Sequence, residues 1–330
     1  MMRIVPFGEA LLDEAAVLLA ARQRENRRAE AALPARFEEP AAARAALATI
    51  WSAADASGVA AWRDERLVGY LIGAPQVDTV RGRTAWVRYA GHALAPGEDA
   101  ELYRDLYAAA SPQWLARGCF AHYAMIPAMD QAALAAWFAL SFGKEQAHGL
   151  RELGEAEESA GETAMPYAIR RAGPDDLEAL LEVADLIAAH QAGPPVYGVF
   201  LPESRADWRE GYAELLAGSN VTVWIAEHAG TVLGFQIYVP EEAKDSLFTP
   251  ERCVELHLAA TRVAERGRGL GRALTEHGLR AARAAGFGSC ATDWRVTNLL
   301  SSRFWPRRGF RPVAYRLFRH VDERVAWARG

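Results

Sequence analysis

The sequence predicts an α/β protein, an α+β mixed sheet built as two tandem copies of one domain. Three observations carry that expectation. Val59–Pro75 and Thr222–Pro240 both read as a hairpin opening into a strand, with Gly69 matching Gly234 and Pro75 matching Pro240 at an offset of 165 residues. Trp137 to Phe142 matches Trp305 to Phe310 at an offset of 168. After each hairpin, strand-like and helix-like segments alternate, which is the pattern of a mixed sheet flanked by helices.

Composition agrees. A chain of 330 residues at ~150 per domain gives about two domains, each able to bury a core. With 51% hydrophobic and 24% charged residues, wholesale disorder is excluded. Cys119, Cys253 and Cys290 cannot form a disulfide framework and show no metal-ligand spacing, which fits a reducing compartment and no bound metal. No apolar run approaches the ~18–20 residues of a membrane helix, and Glu9, Asp13 and Glu14 interrupt the N-terminal apolar stretch. A net charge of −5 argues against nucleic acid as a partner. The expectation is a cytoplasmic protein with neither membrane nor nucleic-acid partner. Monomer and homodimer both fit, because two fused copies can mimic a dimer. All but two of the 37 basic residues are arginine, so a single arginine means little unless its position supports it.

The elements follow in order. In the first domain, 1–150, Ile4-Val5-Pro6 precedes an Ala/Leu-rich helical pattern, as Ile169-Arg170-Arg171 does in the second. Residues 151–165 form an acidic linker, where Glu152, Glu155, Glu157, Glu158 and Glu162 are interleaved with Gly154, Ser159 and Gly161. The second domain, 166–330, opens with a strand near 167–171 and a helix started by Pro174-Asp175-Asp176, proline first and acids in the first turn. A helix over 203–217 comes next, then strands near 221–228, 231–239 and 254–263. A helix over 269–285, a strand over 288–295, a helix over 298–307 and a strand near 311–321 complete it.

The most informative stretch is Thr261-Arg262-Val263-Ala264-Glu265-Arg266-Gly267-Arg268-Gly269-Leu270-Gly271-Arg272, where a strand ends, glycines alternate and a helix begins. Glycines allow close backbone approach and positive φ, and a helix start presents unpaired N–H groups to phosphate oxygens. A Walker loop needs a lysine that is missing, and a dinucleotide fingerprint fails at Arg272 in one frame and at Leu274 in the other. The pattern Arg/Gln-x-x-Gly-x-Gly/Ala does match, as Arg266-x-x-Gly269-x-Gly271. Downstream, Asn298 is followed by Trp305 and then by Gly309-Phe310, where the same pattern often has Asn, Tyr and Gly-Phe. On these residues the second domain resembles the GNAT acetyltransferase superfamily, and the first does so more weakly.

The resemblance implies acyl transfer from acetyl-CoA, as acyl-donor cosubstrate, to the amine of a small-molecule or peptide acceptor. It implies a fourth and a fifth strand splayed apart, with the cofactor arm lying along the fourth beside Thr261, Arg262 and Val263. The pyrophosphate would sit on the amides of Arg266, Gly267, Arg268, Gly269, Leu270, Gly271 and Arg272. Asn298 would contact the arm, although an N-cap asparagine is the plain alternative. Val263 N–H is the candidate donor to the acyl oxygen. For the base, the fourth strand offers Glu255 and His257, which strict period-2 alternation puts on one face with Ala259 and Thr261. The resemblance implies a tyrosine acid where Trp305 stands, and indole cannot take that role, so Ser301 or Ser302 is the substitute donor. Asp293, on the fifth strand, could receive a cationic amine or pair with an arginine.

In the first domain the corresponding turn reads Leu94-Ala95-Pro96-Gly97-Glu98-Asp99-Ala100-Glu101, with carboxylates where phosphate would bind. That copy reads as degenerate, and Asp130 takes the place of Asn298. Two further readings remain open: a non-catalytic acyl-CoA-binding regulatory protein, and a scaffold in which the glycine loop is a relic.

Overall fold

The repeat in the sequence is a repeat of structure down to its turns. In the computed structural model, β2 (Ser57–Arg63) and β3 (Arg66–Asp78) turn on Asp64 and Glu65, both left-handed at φ 47° and 66°. The matching pair, β9 (Thr222–His228) and β10 (Thr231–Pro240), turns on Ala229 and Gly230 at φ 46° and 76°. Two consecutive left-handed residues make the hairpin whose twist suits the flanking strands. The structure describes residues 1–154, 166–201, 203, 205–241 and 246–328, so the acidic linker expected at 151–165 falls mostly outside it.

The chain divides into two units. In the first, β1 (Met2–Pro6) pairs with β2, and β3 continues into β4 (Gly82–Val87). β4 runs parallel to β6 (Ala121–Pro127), while β5 (His92–Leu94) returns to β3. Helices α1 (Leu12–Ala29), α2 (Pro40–Trp51), α3 (Leu102–Ala116) and α4 (Gln131–Ala139) enclose a core around Leu19, Leu47, Leu71, Leu106 and Trp137. In the second unit, β8 (Ala168–Arg171), β9, β10, β11 (Cys253–Thr261) and β12 (Ser289–Arg295) follow one another across the sheet. Helices α5 (Leu177–Ala192), α6 (Arg205–Ala217), α7 (Leu270–Ala284) and α8 (Ser301–Arg307) flank it.

Sequence halves and structural units part company at the last strands. β13 (Arg311–His320) is almost wholly in the first unit, antiparallel to β6 from Ala314↔Pro127 to His320↔Ala121, and buries Leu317 in that core. The end of β7 (Gly143–Glu152) belongs to the second unit, where Gly149 abuts Trp294 and Leu153 N–H donates to Gly288 O at 3.0 Å. The first unit thus takes nearly all of β13 from the second half of the sequence, and the second unit takes the end of β7 from the first.

Within the second unit, opposite faces of one sheet hold different helices. Val223, Ile225, Phe235 and Ile237 face Leu180 and Val183 of α5. On the other face, Leu270 and Leu274 of α7 pack with Ala226, Trp224 and Leu233. α7 comes so close that a Cβ at Gly278 would lie 2.3 Å from Tyr238 Oη, which itself donates to Gln236 Oε1 at 2.7 Å. Gln236 Nε2 donates in turn to Thr275 Oγ1 of α7 at 2.8 Å. Two boundaries differ from the sequence expectation. The strand expected to reach Val263 stops at Thr261, because Val263–Glu265 forms a 3-10 turn, and the helix expected from 298 starts at Ser301.

Gly278→Ala is expected to lower stability by about 1–3 kcal/mol in denaturant titration, despite alanine's better helix propensity. A stabilised variant would show that the close contact with Tyr238 does not seat α7.

Candidate functional site

β11 and β12 run parallel, and their ladder holds only Cys253↔Ser289, Val254↔Cys290 and Glu255↔Ala291. Thr292 closes it by donating its hydroxyl to Leu256 O at 2.9 Å. Past that point the described ladder stops, while β11 continues to Thr261 and β12 to Arg295. Backbone groups along such a parting need water or a ligand to satisfy them.

A β-bulge sits on the same strand. Against β10, Ile237 pairs with Leu258 but Tyr238 pairs with Leu256, so His257 is the extra residue. Directly opposed residues share a face, so Ala259 and Thr261 lie with Gln236 and Gly234, on the α7 side. Glu255 lies with Val239, on the α5 side, as does Leu258. The expectation that Glu255, His257, Ala259 and Thr261 share one face is therefore wrong; the inserted residue resets the alternation.

Glu255 and His257 do meet: His257 Nδ1 lies 3.1 Å from Glu255 Oε2, with the two side chains 47% and 28% exposed for His257 and Glu255 respectively. The hydrogen bond to Glu255 raises the His257 pKa above its ordinary value, burial opposes this, and the charges of Glu255, Asp293 and Glu241 add to the rise. Glu241, just past β10, has its own carboxyl pKa raised by burial and by the charge of Glu255. The sequence reading missed Glu241. Its only signal was an acid directly after Pro240 at a strand end, and only the β10–β11 pairing shows what it faces.

The glycine turn is built as a cradle. Gly267 and Gly269 have φ of +78° and +88°, and a Cβ at either would meet nothing within 4 Å. Gly269 is the N-cap of α7 and offers no side-chain cap, so the first-turn N–H groups of Leu270, Gly271 and Arg272 face outward at the positive end of the helix. The arginines are less available than the sequence suggests. Arg262 donates to Val232 O at 2.6 Å and to Glu182 at 2.8 Å, and Arg272 donates to Glu276 at 2.6 Å. Arg268 lies 3.7 Å from Glu265. Arg266 stands half-buried beside the glycines, and Val263 is 62% exposed.

Asn298 is 8% exposed, and its Oδ1 accepts from Leu300 N–H at 3.1 Å and Ser301 N–H at 3.3 Å, with His190 Nε2 also at 3.1 Å. That is the capping role. Ser301 Oγ is buried and has no hydrogen-bond partner among the described residues, which suits a hydroxyl waiting for an acceptor. Trp305 is 6% exposed and packs edge-on against Phe304 and Phe310, as a core residue.

The first unit shows the same plan closed by its own side chains. Asp99 Oδ1 accepts from Glu101 N–H at 3.0 Å just ahead of α3, and Glu98 is paired with Arg63 at 2.8 Å. Between β5 and β6, fully buried His92 bridges to Met125 O at 3.0 Å, while Arg22 is bonded to the carbonyl of His92 and, at 2.7 Å, to that of Tyr89. Burial and the charge of Arg22 hold the His92 pKa well below its ordinary value. Asp130 caps α4 through Ala133 N–H at 2.9 Å.

Among the described residues no helix is long and apolar enough to cross a membrane, and no group of three His, Cys, Asp or Glu could hold a metal. No curated protein matches the sequence. Residues 188–310 match the model of the Acetyltransferase (GNAT) family. The fold is similar to that of a GCN5-related N-acetyltransferase from Sphaerobacter thermophilus, at a TM-score of 0.57 and 15% identity, over 97% of this chain and 95% of that one. It is also similar to a tandem GNAT protein from the clavulanic acid biosynthesis pathway, at a TM-score of 0.51 and 17% identity, over 96% of this chain and 97% of that one. Residues 188–310 therefore match the GNAT acetyltransferase family model, within a fold that is similar over nearly the whole chain to those two solved structures.

Proposed function

We propose that the second unit is an N-acetyltransferase that uses acetyl-CoA to acylate a primary amine, and that the first unit is a degenerate copy. The observation that carries this reading is the open parting of β11 and β12 ending on an uncapped, glycine-lined helix start. When bound, acetyl-CoA supplies the thioester acyl group. Gly267, Gly269, Gly271 and the first-turn amides of α7 hold its phosphates, with Arg266 and Arg268 beside them. The free edge of β11 up to Thr261 aligns the arm of the cofactor as an added strand would be aligned.

The proton is handled by the pair on β11. An ammonium has no lone pair, so its proton must leave before attack. With Nδ1 engaged by Glu255, His257 keeps Nε2 to take that proton, and Glu255 both orients the ring and raises its basicity. Glu241 and Asp293 add negative charge, which attracts a cationic acceptor. Ser301 Oγ is the candidate donor to the departing sulfur. One observation favours the rival reading of a non-catalytic acyl-CoA-binding protein: Trp305 occupies the usual acid position and is packed into the core.

A calorimetric titration should show acetyl-CoA binding near one site per chain. Gly271→Glu should abolish it in a protein that still folds, because a Cβ there meets nothing nearer than 3.7 Å. Asp99→Asn, in the first unit, should leave it unchanged. Absence of binding by folded wild type would remove the acyl-CoA reading altogether.

A second expectation concerns pH. A base works deprotonated, so kcat/KM should rise with pH through a His257 value above the ordinary ~6.5. Glu255→Gln should move that limb to lower pH, whereas the amine of the acceptor, titrating higher, stays put. His257→Ala should cost roughly a hundredfold to ten-thousandfold in kcat. An unmoved limb in Glu255→Gln would assign the base elsewhere.

A further inference from the structure

The second unit holds a cavity of about 720 Å³ between α5 and α6, closed on the sheet side by Leu258. That is the size of a small-molecule site. Its walls are mainly apolar and aromatic: Ile187 from α5, Phe200 from the α5–α6 loop, Trp208 and Tyr212 from α6. Phe200 and Trp208 meet edge to face at 5.5 Å, which leaves aromatic surface turned to the cavity. Asp185 and Asp207 belong to the same lining, and the arginine there, Arg209, is paired with Glu178. The loop that supplies Phe200 exposes Tyr197 and Val199, at 71% and 73%, beside the cavity wall.

The position of this cavity follows from the bulge. Because His257 is the extra residue, Leu258 and Glu255 point to the same face of the sheet, the face that α5 and α6 cover. Without the bulge, Glu255 would face α7 and the cavity would lie on the wrong side of the strand from it. Building on the acetyl-transfer reading, we propose that the acceptor is a primary amine with an apolar body of aromatic size. The body seats between α5 and α6, and the ammonium is drawn to carboxylates on that face. Aromatic walls with acids close by suit a cation carrying an apolar group better than a polyamine or a sugar amine. A long acyl chain on the donor is the competing occupant, but a lining that includes Asp185 and Asp207 suits a cation better than a hydrocarbon chain.

The test is calorimetric binding to the whole chain in the presence of CoA, so that no turnover occurs. The probes are 2-phenylethylamine, ethylamine and, in place of CoA, decanoyl-CoA against acetyl-CoA. The expected result is that 2-phenylethylamine binds at least tenfold more tightly than ethylamine. Trp208→Ala, a partly exposed side chain whose loss the fold should tolerate, should erase most of that difference and leave acetyl-CoA affinity unchanged. Ile187→Trp, which fills the cavity, should do the same if it folds. Equal binding of the two amines by wild type would overturn the proposal. So would decanoyl-CoA binding tenfold more tightly than acetyl-CoA in a manner lost in Trp208→Ala, which would give the cavity to an acyl chain. If acetyl-CoA is silent while 2-phenylethylamine binds and Trp208→Ala weakens it, the amine cavity stands and the acetyl-transfer reading falls.

Discussion

Everything at the candidate site depends on the end of the ladder between β11 and β12. Two parallel strands that part after three residue pairs leave N–H and C=O groups facing a gap, and a buried group without a partner costs about 1–3 kcal/mol. The surrounding structure holds that gap open. β11 is fixed on its other edge by the full antiparallel ladder to β10, and Arg262 N–H ends it by donating to Leu233 O at 2.8 Å. α7 is pinned over β9 and β10 by Leu270 and Leu274. Its exposed start is therefore held in place by apolar burial some way from the ligand, an arrangement suited to pre-organised binding.

The first unit solves the same constraint from within. The strand that corresponds to β11 is broken into β4 and β5 around a 3-10 turn at Tyr89–Gly91, and His92 reaches across to Met125 O. Arg22 satisfies the carbonyls freed by the break. Asp99 puts an anionic oxygen where the second unit leaves its helix start bare. One copy spends its own side chains on these groups and the other keeps them available. Glycines and an open parting thus occur together in one unit, and side-chain closure without the glycines in the other.

Much of this was legible in the sequence because it is local. Gly267 and Gly269 state their positive φ by being glycine after a strand and before an apolar stripe, and the element boundaries came from proline, acid and glycine signals. The bulge at His257 was not legible, since an extra residue exists only relative to the partner strand, and nothing in Glu255–Thr261 announces it. The placement of β13 in the first unit escaped for a related reason: its partner, β6, lies far away in the sequence, and the pairing is visible only in the structure. Arg262 and Arg272 misled in the opposite direction, because sequence proximity to the glycines hid their engagement with Glu182 and Glu276.

Those arginines bear on where binding strength at the cradle would come from. Arg262 and Arg272 are held by carboxylates, and Arg268 has Glu265 within 3.7 Å. Each would have to exchange a partner to meet a phosphate, so its net gain is small. The backbone amides at the start of α7 carry no such competitor, because Gly269 has no side chain to cap them. On the proposed reading the glycines would do more than admit the ligand. They leave the helix dipole without a side-chain cap, so that a phosphate entering the turn would take a place like the one Asp99 fills ahead of α3. The same substitution of a ligand group for a side chain explains why the arginine count, which reflects the composition of the whole chain, says so little about this loop.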